Sequence, residues 1–329
     1  MTLSIIAQNS AFAVQITDRR ITAGGTVVSE EQEKAFTIET EDARVCVSYT
    51  GLAKTMLFVG EFDTYQWLIQ TFIEAGPPDY QIYNVIERFA AIATKRFSTD
   101  PWLLRLATHV RTLEIIIAGY FYGGDEPFGI QAHITNIQAD GSVGEFQATQ
   151  WHENIRSDEP FYWVRAIGFT TPLPPEGWRP VVASLLNPKA SPNALISQIS
   201  DVIDRVSQSP LSRNFVGRQL DTIEVHRDPE QHPLSARVSA VATHRFSTPG
   251  MVMIKEEGSF AIGSFFMEAD PSKPPITVPR AHRNAPCPCG SRRSYRGCHG
   301  KKPKPGKGIS IEFKREPGNH IVVDIKEKL

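Results

Sequence analysis

The spacing of hydrophobic residues switches repeatedly between two periods, and this order of elements constrains the fold more than any other feature. Apolar residues alternate over residues 3–49, recur at three and four over 52–98, alternate over 113–168, and return to helical spacing over 179–207 before further alternation. Alternation indicates strands, and the three-and-four spacing indicates amphipathic helices. Elements grouped in this way predict an α+β fold with four layers, αββα, in which two antiparallel sheets lie between helical layers. A parallel, doubly wound sheet is disfavoured because alternating βαβ units are absent.

The predicted elements have approximate bounds that the pattern supplies directly. Gly76-Pro77-Pro78 must end the first helix, because proline cannot continue one. The predicted strands are Leu3–Gln8, Ala11–Asp18, a pair formed by Ile21–Thr26 and Lys34–Ile38, Arg44–Tyr49, Leu113–Tyr122, Gly129–Ile137, Tyr162–Gly168, Thr222–Arg227 and two or three more within 235–267. The predicted helices begin at Leu52, Asp79, Arg179 and Asn193.

Charge divides the chain into two parts. The sequence contains 35 basic and 36 acidic side chains, but residues 280–329 hold 13 Lys/Arg and 4 Asp/Glu, a local charge of +9, which leaves −10 on the rest. Three of the four cysteines also lie in this basic end. The fourth, Cys46, is alone in the acidic body, so a disulfide framework is disfavoured.

The composition excludes several classes of protein. It is near the globular average, which excludes collagenous, disordered and coiled-coil chains. No apolar run reaches the ~18 residues that a membrane span needs, and the N-terminus lacks the basic and apolar regions of a signal peptide. We therefore expect a cytoplasmic protein with no membrane association.

A cysteine-rich segment in the basic end has the composition of a metal site. Cys287, Cys289, Cys298 and His299 supply three thiols and an imidazole within thirteen residues. Zinc favours four such ligands in a tetrahedron, and a closed set of four is typical of a structural rather than a catalytic site. A segment this short buries too little apolar surface to fold alone, so we expect structural Zn²⁺ to drive its folding. The alternative is a reduced tail whose cysteines bind nothing.

The order of these residues resembles a known motif. Asn284-Ala-Pro-Cys-Pro-Cys-Gly-Ser, then Tyr295 and Cys298-His299, resembles the SEC-C motif, named after the C-terminus of the SecA translocase, with Arg292 where that family places glycine. The resemblance implies docking onto another protein, either a substrate or an adaptor. Basic residues around the motif suit an acidic partner surface, although ribosomal RNA or other nucleic acid would also fit, as would a merely solvated tail.

The residue after the initiator methionine is a candidate nucleophile. Thr2 is small enough for methionine aminopeptidase to expose it, and a free N-terminal threonine combines a hydroxyl nucleophile with an α-amine base. Such a site needs a cation that lowers the pKa of the hydroxyl and the amine, and a carboxylate that holds the cation. Lys34 and Asp18 are the candidates for these roles.

The spacing of the three residues resembles that of the proteasome β-subunits and the related bacterial ring proteases, which are N-terminal nucleophile (Ntn) hydrolases. In that family the aspartate lies 16 residues and the lysine 32 residues after the catalytic threonine, as Asp18 and Lys34 do after Thr2. The resemblance implies the αββα sandwich, an oxyanion donor in the backbone N–H of Gly51 at a helix start, cleavage of peptide or amide bonds, and a homo-oligomer.

Two departures from the family pattern leave a second function open. The turn after the strand that ends at Gly168 carries the bulky Phe169 where the family has a small residue, and Gly51 lies three residues later than usual. The sequence therefore predicts either a threonine-type peptidase or a catalytically inactive, proteasome-like scaffold that binds proteins, the ribosome or nucleic acid through its basic zinc tail. Retention of Met1 would also block catalysis, because Thr2 would have no free amine.

Together these patterns divide the chain into five parts. They are a proteasome-like body over 1–228, a strand-rich extension over 229–270, a proline-rich linker over 271–286, the SEC-C motif over 287–300 and a basic tail over 301–329.

Overall fold

The fold is taken from a computed structural model of the chain. It describes residues 2–23, 26–30, 32–57, 60–152, 162–170, 173, 175–187, 191–212, 214–228, 235–240, 245–248, 250–262, 265–268, 308–316 and 320–328. The cysteine-rich segment over 287–300 lies outside these residues, so the predicted zinc motif stays a prediction. Among the described residues, no helix combines the length and apolar character needed to cross a bilayer.

Strands form most of the regular structure. In chain order they are β1 (Leu3–Asn9), β2 (Phe12–Asp18), β3 (Ile21–Ala23), β4 (Thr26–Ser29), β5 (Ala35–Glu39), β6 (Ala43–Gly51), β7 (Lys54–Leu57), β8 (Gly60–Asp63), β9 (Leu113–Phe121), β10 (Phe128–Ile137), β11 (Val143–His152), β12 (Tyr162–Gly168), β13 (Gln219–His226), β14 (Ser235–Ala240), β15 (Arg245–Thr248), β16 (Gly250–Met253), β17 (Phe260–Ile262), β18 (Phe265–Glu268), β19 (Gly308–Glu316) and β20 (His320–Lys328). The α-helices are α1 (Thr64–Ala75), α2 (Ile82–Thr99), α3 (Arg179–Leu186) and α4 (Pro192–Gln208).

Two sheets organise these strands. The first sheet has the order β12-β1-β2-β13-β14, and the second has the order β11-β10-β9-β6-β5-β16-β17. Neighbouring strands run antiparallel except β5 and β16, which are parallel. The predominance of antiparallel pairing agrees with the sequence pattern. In the first sheet, β1, which begins next to Thr2, lies between β2 and β12.

Three buried clusters define four layers. One cluster joins α1 and α2 to the outer face of the second sheet, and another joins α3 and α4 to the outer face of the first sheet. The third cluster lies between the sheets and contains Cys46, which is fully buried. Helix, sheet, sheet and helix are therefore stacked in the order that the sequence predicts, and the apolar faces of both sheets are covered.

The first predicted helix begins later than the sequence suggests. The spacing predicted a helix from Leu52, but β7 and β8 form a hairpin before α1 begins at Thr64. Asp63 fixes this start, because its side chain accepts a hydrogen bond from the Gln66 N–H at 3.3 Å, as an N-cap does. Leu52 is buried in the same helix-side core, so its apolar character reflects packing rather than helix.

The predicted pairing of residues 21–26 with 34–38 is wrong. Instead β3 pairs with β4, and β5 pairs with β6. Both observed pairs are hairpins between neighbouring strands, and a short connection costs less closure entropy than a long one. The edge strand β11, which the sequence pattern did not predict, pairs with β10.

Three strands of residues 229–270 join the two large sheets, while β15 and β18 pair with each other in a separate two-stranded sheet. β14 pairs with β13 at the edge of the first sheet, while β16 pairs with β5 and β17 in the second. The sequence predicted two or three strands here, and the described residues of this segment form five. Part of the extension therefore lengthens both sheets of the body.

Gly119 lies where two strands of the second sheet approach each other closely. A Cβ at this position on β9 would lie 2.2 Å from the backbone oxygen of Arg44 on β6, which cannot move without opening the ladder. We expect Gly119→Ala to lower the free energy of unfolding by about 3 kcal/mol, the upper range for overpacking. Urea denaturation measures the change.

Gly124→Ala is the matched control, because the nearest atom to its added Cβ lies 3.9 Å away. It should leave the urea midpoint almost unchanged. Equal midpoints for the two variants would contradict the packing argument.

Candidate active site

Thr2 lies where the two sheets meet. It directly precedes β1 of the first sheet, and the residue is only 4% exposed. Its backbone oxygen accepts hydrogen bonds from the Phe169 N–H at 2.8 Å and from the Thr50 hydroxyl at 3.4 Å. Phe169 follows β12 of the first sheet and Thr50 belongs to β6 of the second, so contacts from both sheets fix the backbone of Thr2.

Lys34 reaches the Thr2 side chain from the second sheet. It directly precedes β5, and its ammonium nitrogen donates hydrogen bonds to the Thr2 hydroxyl and to the backbone oxygen of Arg20. Its Nζ lies 3.8 Å from Oδ2 of Asp18, and the Lys34 side chain is 1% exposed. The structure thus brings together the three residues whose spacing singled them out in the sequence.

Asp18 is fixed by backbone donors. It ends β2, where its Oδ1 accepts from the Leu3 N–H at 2.6 Å, and its Oδ2 accepts from the N–H groups of Arg20 and Gly217, each at 3.1 Å. Three such bonds leave the carboxylate little freedom to rotate. Asp18 therefore presents a fixed negative charge to Lys34.

Burial governs the protonation of this pair. Loss of hydration lowers the pKa of Lys34, and the carboxylates of Asp18 and Asp221 oppose this shift. Burial raises the pKa of Asp18, while Lys34 and the three backbone donors oppose it. The charges of Asp18 and Asp221 thus favour the protonated form of Lys34, which is the form that can donate to the Thr2 hydroxyl and stabilise negative charge on it.

Gly51 lies close to Thr2 but not at the start of a helix. It ends β6, immediately after Thr50, and pairs with Leu113 of β9. Its φ of +104° favours glycine, and an added Cβ would lie 2.2 Å from the Thr112 backbone oxygen. The predicted helix start at this position is wrong because the β7–β8 hairpin intervenes. A role of the Gly51 N–H as oxyanion donor stays a prediction.

Phe169 packs away into the core. Its ring lies 5.6 Å from the ring of Phe215 and contacts the apolar cluster between the first sheet and its helices. The bulk that departs from the family pattern is therefore accommodated by the helix-side core, while the backbone N–H of Phe169 binds Thr2.

A second buried ion pair supports Lys34, and sequence spacing gave no signal for it. Arg19 and Asp221 are 202 positions apart, yet their side chains are joined at 3.2 Å and both are almost fully buried. Burial raises the pKa of Asp221, and the Arg19 guanidinium opposes the shift. Asp221 also contributes negative charge to the surroundings of Lys34.

The predicted metal ligands lie elsewhere in the chain. Cys287, Cys289, Cys298 and His299 fall outside the described residues. Within the described part of the chain, no three His, Cys, Asp or Glu side chains are grouped as a metal site would require.

Comparisons with known proteins find partial similarities in sequence and in structure. No family model matches. At its C-terminal end the chain resembles the SecA subunit of the protein translocase. It is 46% identical over 46 residues to that of Thiobacillus denitrificans, which covers 14% of this chain and 5% of SecA. It is 33% identical over 106 residues to the SecA of Methylibium petroleiphilum, which covers 31% of this chain and 10% of SecA. The chain thus spans a tenth or less of the length of these curated relatives.

Solved structures resemble this chain over 69–74% of its length. The Anbu complex of Pseudomonas aeruginosa, described as a helical assembly, is 17% identical, covers 74% of this chain and 88% of its own, and gives a TM-score of 0.47. Anbu of Yersinia bercovieri is 14% identical, covers 70% of this chain and 86% of its own, and gives a TM-score of 0.41. HslV of Trypanosoma brucei is 14% identical, covers 69% of this chain and 99% of its own, and gives a TM-score of 0.37. At these levels of similarity, the roles of the site residues rest on the geometry of this chain.

Glu33, next to Lys34, gives the site a measurable pH response. Burial, helped by the carboxylate of Asp221, raises the pKa of Glu33 to about 7, and the Arg19 guanidinium opposes the shift. Between its ordinary pKa of 4.5 and about 7, the unfolded chain releases the Glu33 proton while the folded chain keeps it. The contribution of Glu33 to stability therefore falls as pH rises through this window and is constant above it.

We expect Glu33→Gln to remove that fall, since glutamine does not titrate. Urea unfolding at intervals from pH 5 to 8 should show that the free energy of unfolding of the variant increases relative to that of the parent protein as pH rises. Glu87→Gln, at an exposed position of α2, is the control and should follow the parent. A constant difference between Glu33→Gln and the parent across this range would contradict the assignment.

Proposed function

We propose that this chain is the precursor of a threonine-type Ntn hydrolase that cleaves peptide or amide bonds after removal of Met1. The observation that carries the proposal is the hydrogen bond from the Lys34 ammonium to the Thr2 hydroxyl, in a site where Asp18 is held by three backbone donors. A purely structural ion pair does not require its lysine to contact the hydroxyl of the second residue of the chain. The resemblance in spacing to proteasome β-subunits supports the same function.

The reaction follows from these groups. The freed α-amine of Thr2, directly or through a water, accepts the proton of the hydroxyl, whose oxygen attacks the substrate carbonyl. Lys34 stabilises the developing negative charge on the nucleophile, and the Gly51 N–H donates to the oxyanion. Collapse of the tetrahedral species expels the amine product, which takes the proton from the α-ammonium of Thr2, and leaves an acyl ester on Thr2. Water, deprotonated by the same α-amine, then hydrolyses the ester and releases the acid.

A catalytically silent scaffold is the second candidate, and one observation favours it. Thr2 is 4% exposed in the chain that carries Met1, whereas a nucleophile needs access for a substrate carbonyl. Such a protein would use the Lys34–Asp18 pair to fix the first strand and would act through its basic tail.

The presence or absence of Met1 and the reactivity of Thr2 distinguish the hydrolase from the scaffold. We expect the intact mass of untagged protein to lack Met1, and an epoxyketone probe to label Thr2, because that reagent needs the amine and the hydroxyl together. Thr2→Ala should reduce peptide turnover by about 10³-fold or more, as loss of a nucleophile does, while Thr2→Ser should retain part of it.

Thr108→Ala, which removes an exposed hydroxyl, is the control and should retain full turnover. Retention of Met1, or unchanged turnover in Thr2→Ala, would refute the hydrolase and leave the scaffold. A homo-oligomer is implied by the resemblance, and light scattering of the processed protein measures its size.

The C-terminal segment is proposed to bind one structural zinc ion. The donor set of Cys287, Cys289, Cys298 and His299 fits a closed tetrahedral site, and the SecA similarity at this end of the chain supports it. Zinc would supply the folding energy of the segment. The folded module would then recruit a substrate or an adaptor with an acidic surface, with nucleic acid as the alternative partner.

Elemental analysis tests the zinc proposal. We expect about one zinc per chain, in line with a single four-ligand site, and we expect Cys298→Ser to lose it. Cys46→Ala is the matched control, because the Cys46 thiol is buried, donates to the Ala118 backbone oxygen and has a pKa raised to about 12. Zinc that persists in Cys298→Ser, or is lost in Cys46→Ala, would overturn the assignment.

A further inference from the structure

A second group of charged side chains lies between the two sheets, apart from Lys34 and Asp18. On β9 and β10 of the second sheet, Oε1 of Glu114 lies 2.9 Å from Nε2 of His133. On β12 of the first sheet, Arg165 reaches across to Nδ1 of the same imidazole at 3.0 Å. These three residues form a chain of hydrogen bonds that joins the sheets, and the proposed reaction does not use them.

The direction of these hydrogen bonds follows from the chemistry of arginine. A guanidinium can only donate, so Nδ1 of His133 must accept. The ring proton is then on Nε2, which donates to Glu114. In this arrangement the His133 ring holds one carboxylate oxygen of Glu114 in place.

Strand register places Glu114 beside the Thr2 site. Glu114 pairs directly with Thr50 between β9 and β6, and such partners point to the same face of a sheet with their Cβ atoms about 5 Å apart. The Thr50 hydroxyl in turn binds the backbone oxygen of Thr2 at 3.4 Å. One cross-strand step thus separates Glu114 from a residue that contacts Thr2.

One oxygen of Glu114 is free to bind a ligand. Among the described residues, none donates a hydrogen bond to Oε2, although Oε1 is held by His133. The Glu114 side chain is 22% exposed, so solvent or substrate can reach it. Lys34, the cation of the proposed catalytic group, is held by Asp18, Thr2 and Arg20.

We propose that Glu114 forms a subsite that selects a lysine or arginine side chain next to the scissile bond. The position of that bond rests on the function proposed for Thr2. A half-buried carboxylate with one oxygen already positioned pairs strongly with an ammonium or guanidinium group, because local dielectric screening is weaker than in water. His133 and Arg165 are positioning residues, and the charge of −10 on the chain outside the basic end favours the approach of a cation.

Matched fluorogenic peptides test this subsite on the full, processed chain. Each pair carries lysine or the uncharged norleucine at one of the three positions before the cleaved bond. We expect kcat/KM to favour lysine about tenfold at one position, as expected for one charge-assisted hydrogen bond. In Glu114→Gln, whose amide oxygen can still accept from His133, this ratio should fall to about one, because the carboxylate charge that attracts the cation is gone. Glu145→Gln, an exposed position on β11 of the same sheet, is the control and should keep the preference.

Binding separates failure of the subsite from failure of catalysis. Calorimetry with Thr2→Ala should show the same preference for the lysine peptide, and Thr2→Ala combined with Glu114→Gln should lose it. If no peptide is cleaved but this binding difference appears, the hydrolase function fails and the subsite stands. If binding and turnover show no preference for lysine, or a preference that Glu114→Gln does not change, the subsite is overturned.

Discussion

The buried carboxylate of Asp18 is the interaction on which the site depends. Its oxygens accept three backbone N–H bonds, from Leu3 at the start of β1, from Arg20 just past β2 and from Gly217 before β13. One side chain therefore ties three segments of the first sheet together and, through its charge, keeps Lys34 of the second sheet in place. An unpaired buried carboxylate would be strongly unfavourable, so the position of Lys34 is a condition of the fold as well as of any chemistry at Thr2.

The same end of the sandwich joins the sheets through polar rather than apolar contacts. Thr50 binds the backbone of Thr2, and the hydroxyls of Ser4 and Ser48 lie 2.6 Å apart. Further along the strands, apolar packing that includes Cys46 fills most of the space, and the buried amides of Gln8 and Gln131 are hydrogen-bonded between the sheets. A polar end can hold a charged group and admit a polar substrate, whereas the apolar part keeps the two sheets at a fixed separation.

Local sequence patterns predicted much of the fold and part of the site. The order of periods predicted the layers, and the spacing of Thr2, Asp18 and Lys34 predicted a cluster that the coordinates contain. The β7–β8 hairpin was missed because its apolar residues also satisfy helical spacing. Arg19–Asp221 and Arg165–His133 were missed for a different reason, because sequence spacing carries no signal for them. The first pair meets through the pairing of β2 with β13, and the second meets through the packing of one sheet on the other.

The position of β1 also bears on when an enzyme can reach the chain beside Thr2. β1 lies between β2 and β12, and Leu3 is aligned with Gly168. On the ribosome, the first strand lacks one of its two neighbours until about half of the chain has been synthesised. Once β12 has paired with β1, Thr2 is enclosed, with 4% of its surface exposed. For the proposed hydrolase, which requires removal of Met1, this topology favours removal during translation over removal from the finished molecule.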